Sequence, residues 1–204
     1  MKIRVALCLL AAVALSLGST SCGNKAASVD NSEVAVIDTN YGKIVIEFFP
    51  DAAPKHVENF KELVRENFYE GTKFHRLVKN QGAPIAIQGG DPNTISGDPS
   101  TWGHGQPAQK TVPAEFSRTL THERGTVSAA RRGEDVNSAT SQFFICTAPN
   151  PSWNGNYSIF GKVIEGMNVV DSIARAPLFS GTDRPVDPVV VNKITLVKRQ
   201  QPGQ

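Results

Sequence analysis

Residues 33–49 read EVAVIDTNYGKIVIEFF, and this stretch decides the fold class. Val34 and Val36 are set against Glu33 and Ala35. After Asn40, Tyr41 and Gly42, the residues Ile44, Ile46 and Phe48 share one face at period two. Two alternating runs joined by a short Gly-containing turn predict a β-hairpin.

Outward from the hairpin, Pro54 suits the first position of a helix. Val57, Phe60, Leu63, Val64 and Phe68 form an apolar stripe at helical spacing, and Lys55, Glu58, Lys61, Glu62 and Glu66 fall largely elsewhere. The stripe reads as core packing. Beyond Gly71, strand-like runs return at 72–78, 85–88, 125–130, 142–146, 157–164 and 188–197. A short second helix fits Met167 to Ala174, introduced by Gly166. Many short strands joined by turns, in a chain with 17 Gly and 13 Pro, predict an all-β-dominated closed barrel or sandwich. The interior of an eight-stranded barrel is only large enough for side chains, so a binding site must lie on its outer wall or rim.

Composition excludes other classes. The 204 residues fit one domain, and 40% hydrophobic with 20% charged residues is ordinary for a globular chain. The net charge is +2, so no basic field marks a nucleic-acid binder. Three Cys in this length argue against a disulfide framework.

Residues 1–21 read as an address. Lys2 and Arg4 precede an apolar run from Val5 to Leu17, too short for a bilayer-spanning helix of roughly 20 residues. Small residues follow, then Cys22. The pattern resembles a bacterial lipoprotein signal in which Cys22 carries the lipid, although Ser19 stands where Leu is usual. The alternative is an ordinary cleaved signal with an incidental Cys. Lys2 and Arg4 account for the whole net charge, so the mature chain is formally neutral. Residues 22–32 read as the lipidated Cys and a flexible tether with a reach of roughly 17 Å. Residues 33–199 form the folded domain, and 200–204 a tail.

Candidate chemistry clusters at strand ends. Alternation puts Gln142 and Phe144 on one face and Phe143 on the other, and separates His75 from Arg76. If Phe143 enters an apolar interior, then Gln142, Phe144 and Arg76 face out and frame a shallow groove fit for an extended peptide. His75 reads as a packed core residue and Cys146 as a buried, inert thiol. His56, His104 and His122 have no partners at metal-ligand spacing. Asp91, beside Pro92, is open between a turn role and substrate contact.

The strings YGKIVIEFFPDAAPKHVENF, FHR, IQGGD, TVPAEF, GTVSAAR, SQFFICT, IFGKV and EGMNVVDSI, in this order from Tyr41 to Ile173, resemble the cyclophilins. The resemblance implies an eight-stranded antiparallel closed β-barrel capped by two helices, and a peptidyl-prolyl cis-trans isomerase. An X–Pro bond turns over a barrier of about 18–20 kcal/mol because amide resonance must be broken, which takes roughly 10–100 s unaided. The twisted state frees a lone pair on the prolyl nitrogen, and a donor beside it favours that state. Arg76 is the expected donor, with its fixed fork of N–H groups. Gln88 is expected to bond the substrate carbonyl, and Phe144 to wall the proline pocket. Ala130, Arg131 and Gln142 match groove-lining positions, and Tyr157 stands where many relatives carry His. Ile85 and Ala86 occupy the places of the usual Phe and Met walls, in a stretch longer than usual. The pocket is then wider, or the added loop fills it. Trp153 takes either a Trp or a Leu place.

No cofactor or metal is required for such catalysis. The expected substrates are proline-containing polypeptides, with folding of exported proteins as the role. The alternative is a proline-peptide-binding or chaperone-like module with weak turnover. A monomer is expected, lipid-anchored in a bacterial envelope and facing the periplasm, with the outer membrane favoured because neither Gly23 nor Asn24 is Asp.

Overall fold

The structure, a computed structural model, describes residues 32–106 and 108–199. The lipidation position Cys22, the signal 1–21 and the tail 200–204 lie outside them.

The opening hairpin forms as expected. Strand β1 (Glu33–Thr39) pairs antiparallel with β2 (Gly42–Phe48). Helix α1 (Pro54–Arg65) follows with Pro at its start. Then come β3 (Arg76–Asn80), β4 (Ala83–Gly89), the one-turn helix α2 (Asn93–Ser96), β5 (Thr126–Ala129), β6 (Phe143–Cys146), β7 (Ile159–Glu165), α3 (Met167–Ala174) and β8 (Val191–Lys198). The spatial order is β3-β4-β6-β5-β7-β2-β1-β8, and every pairing is antiparallel.

The closed barrel expected from the sequence is not formed. Strands β3 and β8 are the two edges and share no ladder, so the sheet is an open half-barrel. The seam is stitched instead by the segment before β3. There Gly71 N–H donates to Val191 O (2.8 Å), Val191 N–H to Thr72 O (2.8 Å) and Phe74 N–H to Val189 O (2.9 Å). Strand β3 itself is diverted, because Leu77 N–H donates to Asp183 O at 2.7 Å in the loop ahead of β8.

The residues between Val78 and Ala86 do not form a loop over the groove. They form the end of the β3–β4 hairpin, which turns at Gln81 and Gly82, both with positive φ (48° and 84°). This is the two-residue turn that suits the twist of a hairpin.

The core is built on aromatic contacts. Phe60 of α1 sits 5.1 Å from Tyr69, 5.5 Å from Phe143 and 5.5 Å from Phe160 between ring centroids. Truncating such a ring costs about 3–5 kcal/mol. Tyr69 satisfies its hydroxyl by donating to Ser141 O at 3.0 Å. Lys61, assigned by its charge to the polar side of α1, is in fact 3% exposed. Its Nζ lies 3.0 Å from Glu33 Oε2 and 5.0 Å from the Phe48 ring centroid. The alkyl stem joins the core while the charge keeps a partner. Gly166 starts α3 at φ 85°, and a Cβ there would collide with the Lys43 carbonyl.

Three histidines, His56, His75 and His122, are buried at 4%, 5% and 1% exposure. Burial is the largest influence on each and holds each below the usual imidazole range. In the unfolded chain they take up protons near pH 6.5, while the folded protein resists protonation. Stability is therefore complete above about pH 6.5 and falls as pH falls toward the depressed folded values. Scanning calorimetry from pH 7.5 to 5 is expected to show a progressive drop in Tm. A Tm constant over that range contradicts it.

Candidate active site

Register builds the site. Arg76 on β3 pairs with Gln88 on β4, Gln88 with Phe144 on β6, and Phe144 with Ser128 on β5. These four residues form one rung across four strands, on the outer face. The next rung, Leu77, Ile87, Ile145 and Val127, is buried to 1% exposure or less. The rung after that returns to the outside with Val78, Ala86 and Cys146. Phe143 points inward at 1% exposure, as alternation requires.

The outer rungs floor a groove of about 670 Å³. Arg76, Gln88, Phe144, Ala86, Ala130, Arg131, Trp153 and Tyr157 all line it. Two expected residues do not. Ile85 is one position out of phase with Ala86 on β4 and is absent from the groove, where Val78 stands instead. Gln142 is 8% exposed and lines a neighbouring pocket of about 260 Å³ shared with Gln88, Ala130 and Arg131.

The aromatic wall is one packed cluster. Phe144 lies 5.1 Å from Trp153 and 5.3 Å from Tyr157, both edge to face. Such pairs contribute about 0.5–1.5 kcal/mol beyond their burial. Trp153 reaches the wall from a 3-10 turn at Pro151–Trp153. Behind it, His122 stacks on Phe144 at 5.9 Å and 16°. One ring nitrogen of His122 meets Ser128 Oγ and the other Asn154 Oδ1, each at 3.0 Å. The Arg131 guanidinium covers Tyr157 at 4.9 Å and donates to the carbonyls of Asn156, Arg132 and Gly133. The floor is small-sided, with Ala86, Ala130 and Cys146 beneath Phe144. Burial pushes the Cys146 thiol up to about 12, so it stays protonated.

The polar side is held by a relay. Buried Asp91 accepts from Gly103 N–H and, at 2.9 Å, from Asn93 N–H, which gives it a turn role. The Gly103 carbonyl accepts from Gln142 Nε2 (3.0 Å), and Gln142 Oε1 accepts from Gln88 Nε2 (3.0 Å). Gln88 keeps one amide hydrogen and its carbonyl oxygen for a ligand. Arg76 donates from Nε to Asp183 Oδ2 at 3.0 Å, which leaves its two terminal nitrogens for another partner.

Sequence reasoning missed Trp102, Thr182, Asp183 and Arg184, which line the same groove. All four lie outside the regular strands and helices, where no periodicity marks them. His75 is buried as expected, yet it also borders the groove.

The model of the family "Cyclophilin type peptidyl-prolyl cis-trans isomerase/CLD" matches residues 34–196. The chain is 40% identical over 177 residues to a probable peptidyl-prolyl cis-trans isomerase of Brucella abortus, covering 85% of this chain and 86% of that one. It is 37% identical over 165 residues to the longer peptidyl-prolyl cis-trans isomerase-like 2 of Gibberella zeae, covering 80% of this chain but only 26% of that one. The structure resembles a Cryptosporidium parvum cyclophilin-type isomerase crystallised in the presence of the dipeptide Ala-Pro. The TM-score is 0.71 at 30% identity, covering 81% of this chain and 99% of that one. With a family match across residues 34–196 and 40% identity over most of both chains, the chain belongs to the cyclophilin-type peptidyl-prolyl cis-trans isomerases.

Proposed function

We propose that isomerisation takes place in the 670 Å³ groove, with Arg76 as the group that lowers the barrier. The observation that carries this reading is the shared rung of Arg76, Gln88 and Phe144. The proline ring packs between the Phe144–Trp153–Tyr157 wall and the Ala86–Ala130 floor. Gln88 bonds the substrate backbone and fixes one side of the X–Pro bond. As the bond twists, the prolyl nitrogen gains a lone pair, and a terminal Arg76 N–H donates to it. The planar amide offers no such acceptor, so the contact favours the twisted state over both flat ones. No bond is made or broken.

Asp183 positions Arg76. Both side chains are about half exposed (52% and 42%), so the pair adds little stability, about 0–1 kcal/mol. Its effect is orientation, since Nε is held and the terminal fork is left for the substrate.

Substrates are proposed to be exported polypeptides with X–Pro bonds. Cys22 is proposed to carry a lipid that holds a monomeric enzyme on the periplasmic side of a bacterial membrane, the outer one favoured by Gly23 and Asn24. The tether then lets the groove sample chains near the surface.

Exchange NMR on a proline peptide tests the chemistry. Arg76→Ala is expected to lower kcat/KM by about 10²-fold or more, with the circular dichroism spectrum unchanged. Asp183→Asn in the same assay is expected to lose about two- to fivefold, the equivalent of a weak exposed pair. Full activity in Arg76→Ala contradicts the mechanism. Tight peptide binding by the wild type without acceleration would favour a binding module instead, a reading motivated by the small Val78 and Ala86 side chains. For the anchor, labelled palmitate supplied to a bacterium making the full chain is expected to mark the wild type and not Cys22→Ala. An unlabelled wild type contradicts lipidation.

A further inference from the structure

A second concavity of about 290 Å³ adjoins the groove. Its walls are apolar, with Phe74, Phe179, Pro185, Val186 and Val189 among them. Among the described residues, the charged groups lining it are the cations Lys73 and Arg184. Phe179 and Val186, 42% and 43% exposed, sit on one hairpin and present apolar surface to this cleft. Pro99, Trp102 and Arg184 line both this cleft and the groove, so the two are continuous across that ridge.

The ridge is rigid. Trp102 donates from Nε1 to Gly97 O at 3.1 Å. Lys73 Nζ lies 5.4 Å from the Trp102 ring centroid and the Arg184 guanidinium 5.8 Å. Arg184 also covers Phe179 at 4.4 Å. The loop carrying Phe179 and Val186 is a small hairpin, closed by Phe179 N–H to Arg184 O (3.0 Å) and Val186 N–H to Pro177 O (2.8 Å). Asp183, the partner of Arg76, belongs to this same hairpin. One preorganised element therefore serves the groove on one side and the cleft on the other.

We propose that the cleft is a second subsite, which takes an apolar side chain of the same polypeptide whose proline occupies the groove. The continuity of the walls carries this choice of occupant, and the inference rests on the groove being the X–Pro site. An aromatic or long aliphatic side chain fits the cleft, and an acidic neighbour suits the Arg184 side of its rim better than a basic one, while Lys73 Nζ is engaged with the Thr94 and Ile95 carbonyls. The subsite adds binding energy remote from the reacting bond, so it lowers KM and leaves kcat unchanged. It would make the enzyme prefer prolines near exposed apolar residues, as found in unfolded chains.

The test is a series of alanine-rich proline peptides in which one Phe is moved along either side of the X–Pro bond. Exchange NMR gives KM and kcat, and NMR titration gives Kd. In the wild type, one placement is expected to lower KM and Kd about tenfold, about 1.4 kcal/mol. Val186→Asp and Phe179→Ala are expected to abolish that gain while turning over the Phe-free peptide normally. The proposal is overturned if no placement gains, or if the gain survives both variants. It is also overturned if the wild type self-associates with concentration and Val186→Asp does not, which would assign the cleft to a second copy. Should the Phe-free peptide fail to isomerise in the wild type, the groove reading falls, while the Kd series still decides the cleft.

Discussion

The antiparallel register of β3, β4 and β6 is the constraint on which the groove depends. It sets Arg76, Gln88 and Phe144 side by side on the outer face and sends Leu77, Ile87 and Ile145 into the core. Side chains alternate at period two, so a slip of one residue would exchange the two sets. A guanidinium and an amide would then be buried without water, and three large aliphatic side chains would be exposed. Burying those three stabilises by about 1.5–3 kcal/mol each, so the same hydrophobic term that folds the sheet also fixes the site. Catalytic geometry and core packing are one structural decision here.

Behind the rung lies a second layer that fixes orientations. The relay from Asp91 through Gly103 and Gln142 leaves Gln88 a defined rotamer. His122, stacked on Phe144 and held at both ring nitrogens, backs the aromatic wall. Asp183 does for Arg76 what Gln142 does for Gln88. Arg76 and Gln88 thus each spend one polar contact on the scaffold and keep the rest. Lost freedom is taken up during folding rather than at the moment of reaction, which is how preorganised sites gain their advantage.

What was legible in the sequence follows a physical pattern. Alternation exposed the opening hairpin, the inward Phe143 and the outward Phe144 with Arg76, because period two is a local property. Motif resemblance supplied Ala130, Arg131, Trp153 and Tyr157. The half-barrel seam was not legible, because it depends on pairing residues 71–74 with 189–191, far apart in the chain. Ile85 was assigned to the groove by alignment, although its phase on β4 is wrong by one. The Gln81–Gly82 turn did carry a signal, since a Gly-containing pair between two runs marks a hairpin. The burial of Lys61 carries no signal in a pattern of apolar residues, because its charge is met by Glu33 on another element. Trp102, Asp183 and Arg184 sit in irregular segments, where only tertiary structure brings them to the site.

The proposed mechanism has one fixed cation recognise a twisted X–Pro bond against an aromatic wall. A crystal structure of the protein with an Ala-Pro-containing peptide tests it most directly. The proline ring is expected against Phe144 and Trp153, with a terminal nitrogen of Arg76 within hydrogen-bond reach of the prolyl nitrogen. A peptide bound away from that rung, or an Arg76 turned from it and engaged with Asp183 alone, would contradict it.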